Sequence, residues 1–365
     1  MNSSKRIQTL FSYAETPVDT IIIKNGTEPF IDPNFFYTTG ITQGLFEGSS
    51  LVLYPDGTQH MLVNSLEHDI AASSSAIIHV YRSKREIQTI LSDLLKDTST
   101  IGIHYSALLY TDYLWLNSIN KGKKLIDVTK SFHQSRMIKD KEEISAIKKA
   151  CEIADKVAEE IPSYIQKGMT ENELAAEIDY HLQRYGAHNP AFETIASFGT
   201  HSAIPHHTHD DTPLKKGDFI VCDFGAKYNK YHSDTTRTFV YGTATDKQKD
   251  IHETVRKAQH TAFDMIKPGI IANNIHHSVQ TFIDSTVYKN RFIHSTGHSL
   301  GLSVHDPGIG FNYACTLPLK EHMILTVEPG IYIPGYGGVR IEDDIIITNN
   351  GYTSLTTSSR NLCEI

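Results

Sequence analysis

Cysteine is scarce and scattered in this chain: Cys151, Cys222, Cys315 and Cys363 form no CxxC pair, which excludes a zinc knuckle and a disulfide framework. Long apolar runs are missing as well, since no stretch approaches the roughly 18 residues needed to cross a bilayer. Positive charge is short: 34 Lys and Arg against 42 Asp and Glu leave a formal charge of −8. That balance argues against nucleic acid as the main partner, because phosphate binding needs a basic face. Met1 to Glu15 is polar and lacks the apolar core of a signal peptide. Together these absences lead us to expect a reducing cytoplasm, with neither membrane nor nucleic acid as partner.

What is present describes an ordinary globular protein, with 39% hydrophobic and 21% charged residues. At 365 residues the chain exceeds what one hydrophobic core usually serves. Two domains are therefore expected, 1–130 and 131–365, with the break following the charged, glycine-containing Asn120–Lys121–Gly122–Lys123–Lys124. Histidine, with 20 copies, is the outlier. Most of these belong on surfaces or in local hydrogen bonds; those beside carboxylates in strand-like segments are ligand candidates.

The first part reads as a small α/β domain. Val18 to Lys24, Ser50 to Tyr54, Ala76 to Tyr81 and Ile101 to Ile103 are short β-branched and aromatic runs. Lys84 to Lys96 carries Ile87, Ile90, Leu91, Leu94 and Leu95 at helical spacing, and Tyr105 to Ser118 reads as another helix. Pro55–Asp56–Gly57 signals a turn between two strands. None of this carries recognisable chemistry, and a packing or dimerisation role is expected. Beyond the break, Lys139 to Glu160 is a long amphipathic helix. A second helix has Thr170 as N-cap and Glu173 at capping-box spacing, and it ends near Tyr185–Gly186. Strands and helices then alternate to the end, an α+β domain of roughly 230 residues.

The chemistry is concentrated in two pairs of strands. Phe219 to Phe224 is apolar apart from Asp223, and Asp234 follows eleven residues later at the head of the run Thr235 to Tyr241. A hairpin folded about Tyr228–Asn229 sets Asp223 directly across from Asp234, on one face. Two such carboxylates repel each other unless a cation lies between them. Near the C-terminus the apolar run Met323 to Val327 ends in Glu328, and a glycine-rich turn returns the chain to Glu342, Asp343 and Asp344. Between the two pairs lies His298, in a glycine-containing segment that offers one neutral imidazole. Four carboxylates and one imidazole, with no thiolate, suit Mn²⁺, Co²⁺, Fe²⁺ or Zn²⁺. Four negative charges balance two dications, which at about 3.5–4 Å apart activate one water and polarise a carbonyl. Hydrolysis of an acyl or phosphoryl bond follows. Spacing leaves Asp234 against His232 open, and Glu342 against Asp344, because each pair shares strand parity.

These residues resemble the pita-bread creatinase and aminopeptidase family, and specifically its Xaa-Pro peptidase branch of prolidases and aminopeptidases P, within peptidase family M24. The resemblance runs from Asp32–Pro33–Asn34–Phe35–Phe36–Tyr37–Thr38–Thr39–Gly40 and the linker Arg136 to Ile144 through four blocks. These are PAFETIASFGTHSAIPHH at Pro190 to His207, DFG…SDTTRT spanning Asp223 to Thr238, TGHSLGLSVHDPG at Thr296 to Gly308, and TVEPGIY…GGVRIEDD from Thr326 to Asp344. It implies a creatinase-like N-terminal domain followed by a pita-bread catalytic domain. It also implies metal ligands at Asp223, Asp234, His298, Glu328 and Glu342, with Asp234 and Glu342 bridging, which selects within both ambiguous pairs. The same resemblance gives Glu328 a general base and acid role, sets His206 and His305 beside the scissile bond, and has Arg340 orient Glu342 or bind substrate. It further implies Mn²⁺ or Co²⁺ as the metal, with Zn²⁺ or Fe²⁺ as further options, a homodimer, and a small peptide with proline at its second position as substrate.

The blocks depart from the family pattern in places. Ser299 stands where many relatives have glycine, and His305–Asp306 replaces the frequent His–Glu. No arginine lies between Asp306 and Thr326, where some prolidases bind the dipeptide's carboxylate, and Lys320 is the nearest substitute. Dipeptidase is the expected activity, with an aminopeptidase acting on longer peptides as the alternative. Creatinase-type chemistry without metal and a catalytically silent binding module are disfavoured by retention of all five ligand positions. A methionine aminopeptidase is disfavoured by the roughly 130 residues that precede the catalytic domain. His201, His207 and His209 are expected on a polar surface loop, Asp210–Asp211 in a solvated turn, Cys222 as a packed small hydrophobe and Trp115 in core or interface.

Overall fold

The computed structural model describes residues 3–365. The chain divides into two compact units, Met1–Arg136 and Met137–Ile365. The segment Asn120–Lys124, read from sequence as a break, is the turn into the last strand of the first unit.

The first unit is built on one mixed sheet of β1 (Thr20–Lys24), β2 (Ser50–Leu53), β3 (Gln59–Val63), β4 (Ile77–Val80), β5 (Thr100–Ile103) and β6 (Lys124–Asp127), ordered β4-β3-β2-β1-β5-β6. β1 is central because Ile21, Ile22 and Ile23 are apolar on both faces. Ile22, Val52, Leu62 and Ile101 point one way, onto Ile87 and Leu91 of the helix Lys84–Leu94. Ile21, Ile23, Leu51 and Met61 point the other way, onto Ile7, Leu10, Phe35 and Phe132. The motif at Asp32 to Gly40 is a short capped helix. The Asp32 side chain accepts from the Asn34 N–H, Pro33 opens the first turn, and Gly40 closes the helix at φ 73°.

The second unit has two halves of similar plan, each a pair of helices on twisted antiparallel strands. In the first half Lys141–Tyr164 and Glu171–Arg184 pack against strands β7 (Asn189–Pro190), β8 (Ile195–Phe198), β9 (Phe219–Phe224), β10 (Ala226–Tyr228), β11 (Tyr231–His232) and β12 (Thr235–Val240). Asp140 and Thr170 each start their helix with a capping box. In the second half Asp246–Phe263 and Ala272–Asp284 pack against β13 (Ile324–Val327), β14 (Gly330–Ile333), β15 (Gly337–Arg340) and β16 (Asp343–Ile347). β17 (Tyr352–Ser354) extends the second half, and β18 (Cys363–Glu364) lies beside β12. Cys222 is fully buried in the first core, where burial pushes its thiol well above the ordinary range. That is the expected packed small hydrophobe. Among the described residues no helix is long and apolar enough to cross a membrane.

Candidate metal centre

β9 and β12 form the expected hairpin, but with a different register. Asn229 and Lys230 occupy the turn with φ 48° and 71°, the left-handed pair of a tight two-residue connection. This places Thr236, not Asp234, opposite Asp223. The sequence reading centred the turn one residue early, which moves the pairing by two residues and so preserves the face. Gly225 lies at the junction where any Cβ would collide with the Ser233 carbonyl, so only glycine lets the two backbones close there.

The second pair of carboxylates is set by one long hairpin. β13 pairs with β16 and β14 with β15 in a common register, which brings Glu328 and Glu342 face to face between the two ladders. The three consecutive acids then separate. Glu342 faces the cavity, Asp343 is held by Arg237 at 2.8 Å and Arg360 at 2.6 Å, and Asp344 accepts from the backbone N–H of Asp234 at 2.9 Å and from the Cys151 thiol at 3.3 Å. His232 lies against the Gly301 carbonyl. Asp234 and Glu342 line the cavity, whereas His232 and Asp344 do not.

His298 is brought in by the segment that runs beside β13. Its backbone N–H donates to Thr326 Oγ1 at 3.0 Å, and its carbonyl accepts from the Thr326 N–H at 2.9 Å. Gly297 permits this approach, because a Cβ there would strike the Thr326 carbonyl. His298 Nδ1 faces the Ser299 carbonyl at 3.2 Å. A carbonyl only accepts, so the proton belongs on Nδ1, and Nε2 stands 3.5 Å from both Asp234 Oδ2 and Glu328 Oε1.

The hairpins are cross-linked by side chains. Arg340 donates to Asp223 Oδ2 at 2.6 Å, to the Tyr332 hydroxyl at 2.8 Å and to Thr236 Oγ1 at 3.0 Å. Thr236 in turn donates to Glu342 Oε2 at 2.6 Å. Arg340 was expected to orient Glu342 or to bind substrate. Its direct partner is Asp223, and it reaches Glu342 only through Thr236.

The five ligand candidates and Arg340 border one cavity of about 450 Å³. Its lining holds the site residues that the resemblance implied: Asp223, Asp234, His298, Glu328, Glu342, His206, His305 and Arg340. Phe192, Ile195, Pro205 and Val304 add an apolar wall. Lys320, offered as a substitute for the missing arginine, is exposed and does not line the cavity. Sequence reasoning passed over His294, Thr236, Thr326 and Tyr332. His294 accepts from or donates to the Tyr332 hydroxyl at 2.9 Å, and burial together with Arg340 pushes its pKa down to about 3. Its proximity to the Thr296 to Gly308 block was the one available signal.

The electrostatics call for a cation. Burial and the neighbouring carboxylates Glu342 and Asp223 push Asp234 well above the ordinary carboxylate range. Burial with Glu328 and Asp223 does the same to Glu342, and burial raises Glu328. Asp223 Oδ1 and Asp234 Oδ1 are buried without a hydrogen-bond partner. One ligand atom each from Asp234, His298 and Glu342 lies within 4.8 Å of the others. Four carboxylates, an imidazole lone pair and a single arginine fit divalent metal ions, whose charge would supply what the protein leaves uncompensated.

Comparison with known proteins gives the family. Residues 145–349 match the model of metallopeptidase family M24, and residues 5–138 match the creatinase/prolidase N-terminal domain. A Xaa-Pro dipeptidase from Pyrococcus furiosus is 39% identical over 363 residues, covering 98% of this chain and 99% of that protein. The structure of a prolidase from Pyrococcus horikoshii superposes with a TM-score of 0.88 at 34% identity, over 99% of this chain and all of that one. An X-Pro aminopeptidase from Thermotoga maritima superposes with a TM-score of 0.91 at 30% identity, again over 99% and 100%. The chain is therefore an enzyme of metallopeptidase family M24, with a creatinase-type N-terminal domain before a pita-bread catalytic domain that uses divalent metal ions.

Proposed function

We propose that the protein is a Xaa-Pro dipeptidase: a metal-dependent hydrolase of dipeptides whose second residue is proline. The single observation that carries this reading is the convergence of Asp223, Asp234, His298, Glu328 and Glu342 on one cavity, in a chain that matches a Xaa-Pro dipeptidase along nearly its whole length. These five residues would hold two dications, Mn²⁺ or Co²⁺ foremost. When bound, the metal pair supplies the Lewis acidity that activates a water and polarises the scissile carbonyl.

The chain's own residues do the rest. Glu328, its Oε1 fixed by the Thr326 hydroxyl at 3.2 Å, takes the proton from the attacking water and gives it to the leaving proline nitrogen. An amide nitrogen is a very poor leaving group as an anion, so this proton goes to the proline nitrogen, which carries no N–H in the peptide, as the C–N bond breaks. His305, its ring centroid 4.2 Å from that of His298, steadies the oxyanion, and His206 binds the substrate backbone beyond the cleaved bond. Burial and the neighbouring His298 push the His305 pKa down, so it acts as a neutral N–H donor. Arg340 keeps Asp223 in place. The protein would act in the cytoplasm as a homodimer.

A second reading, an aminopeptidase acting on longer X-Pro peptides, is favoured by one observation. Among the described residues lining the cavity, Arg340 is the single Lys or Arg, and it is committed to Asp223, Tyr332 and Thr236. A dipeptide's free carboxylate would then have to be met by histidine. The deciding experiment strips the protein of metal, restores Mn²⁺, Co²⁺ or Zn²⁺, and compares hydrolysis of Ala-Pro and Met-Pro with Ala-Pro-Ala. Metal-restored cleavage of the dipeptides alone establishes the dipeptidase. Cleavage of the tripeptide as well supports the second reading, and cleavage of neither rejects both.

A further inference from the structure

A second group of metal-type side chains lies outside the catalytic cavity, where the sequence suggested a solvated loop. Glu171, the first residue of the helix Glu171–Arg184, has a side chain with no solvent exposure. Its Oε1 accepts from the Phe198 N–H at 2.7 Å, and its Oε2 from the Asp210 N–H at 3.2 Å. Two imidazoles converge on the same carboxylate. His201 Nδ1 stands 3.0 Å from Oε1, and His207 Nε2 stands 2.8 Å from Oε2. Their ring centroids are 4.2 Å apart. Ligand atoms of Glu171, His201, His207 and Asp210 all lie within 4.8 Å of one another. The two histidine side chains are 29% and 11% exposed and Asp210 is at the surface, so an ion can enter.

We propose that Glu171, His201, His207 and Asp210 form a separate site for one dication, zinc foremost, which fastens the loop bearing His206 to the helix Glu171–Arg184. Two neutral imidazoles and two carboxylates balance the charge of one dication, and this mixed nitrogen and oxygen set suits tetrahedral zinc. Ligand atoms around a zinc ion with bonds of about 2.0–2.2 Å lie roughly 3.3–3.5 Å apart. The present nitrogen to oxygen separations are a few tenths of an ångström shorter, so loading requires a small outward shift of two side chains. It exchanges the imidazole N–H donors for lone pairs and releases any proton they held in the contact with Glu171. The backbone N–H groups of Phe198 and Asp210 stay on the carboxylate and hold it in place. Because His206 adjoins His207 and lines the catalytic cavity, occupancy fixes the position of a substrate-binding side chain without contributing to the chemistry.

The test is a zinc count on the full chain. Stripped protein is dialysed to saturation against Zn²⁺ and its bound metal measured, for the unmodified chain and for the double variant His201→Gln, His207→Gln. Glutamine keeps an N–H donor for Glu171 while replacing the imidazole nitrogen with a much weaker amide ligand. The expected result is the loss of one ion per chain. The same count is made with Asp234→Asn and Glu342→Gln added, so that failure of the catalytic centre cannot be confused with failure of this site; there the expected change is from one ion to none. Hydrogen exchange across residues 199–210 should slow on zinc addition in that background, and should not slow in the His201, His207 variant. Equal zinc counts with and without the two histidines would overturn the proposal. Should the double variant not fold, Asp210→Asn at the surface takes its place. Zinc affinity weakened by about tenfold or more supports the site, and unchanged affinity rejects it.

Discussion

The guanidinium of Arg340 lies 2.6 Å from the carboxylate of Asp223, joining the last strand before Glu342 to the strand of the opposite hairpin. Both side chains are nearly buried, at 4% and 12% exposed. Among the described residues lining the cavity, Arg340 is the one Lys or Arg beside four carboxylates, and with Thr236 it links Asp223 to Glu342, two ligand candidates far apart in sequence.

Replacing Arg340 by Met should therefore cost about 3–5 kcal/mol of stability in the metal-free protein, the usual penalty for orphaning a buried partner. Urea unfolding with and without added Mn²⁺ measures it, and excess metal should recover part of the loss because it binds the native state alone. Arg340→Lys should fall between the two, since one ammonium cannot reach Asp223, Tyr332 and Thr236 together. Equal stability of all three proteins would show that the pair is not a charge anchor.

Thr236→Val removes the hydroxyl that donates to Glu342 and accepts from Arg340, with little change in volume. Metal affinity should drop about 10- to 100-fold, the range for loss of a group that orients a ligand. Equilibrium dialysis reads this directly. The fold, checked by circular dichroism, should be retained.

His206→Ala and His305→Ala separate catalytic from ligand roles. His305→Ala should lower kcat by roughly 10²–10³, as for loss of an oxyanion donor, whereas His206→Ala should act mainly by raising KM, as for loss of a substrate-binding contact. The number of ions in the catalytic cavity, measured on protein carrying His201→Gln and His207→Gln, should stay unchanged in both. A matching loss of metal on His305→Ala would place that residue among the ligands instead.

Acid stability should depend on two buried histidines away from the cavity. Burial pushes His252 and His276 each down to about 4, below the value of an unfolded histidine near 6.5. Between these values the unfolded chain binds more protons than the native one, so stability rises with pH across the window and is lost as pH falls towards 4. His252→Gln should shrink the stability difference between pH 7 and pH 5 by up to about 2 kcal/mol. Denaturant midpoints at the two pH values test this, and an unaltered difference would mean that His252 charges freely in the native state.

Much of the fold was legible because its signals are local. Three isoleucines in a row marked the central strand of the first sheet, and Thr170 with Glu173 marked a helix start. The strand Lys124–Asp127 and the helices Ser3–Ser12 and Pro33–Thr39 went unread. Their patterns are short and mixed, and neighbours rather than propensity hold them. At the site, Asp223 and Glu328 stood out as carboxylates at the ends of apolar runs. The partner of Asp223 did not, because centring the turn one residue along, on Asn229–Lys230, moves the pairing by two residues.

The sequence by itself determined which residues are the candidates for chemistry: paired acids on apolar strands, a histidine among glycines, and the parity that keeps each pair on one face. Tertiary structure alone decided how the three neighbouring acids Glu342, Asp343 and Asp344 part company, one to the cavity, one to two arginines, one to a backbone N–H and a thiol. It also decided that Arg340 holds Asp223, and that Glu171, His201 and His207 meet. A sequence specifies the alternation of one strand through its own backbone geometry, but charge pairing across elements depends on which distant surfaces are packed together, and only the folded chain fixes that.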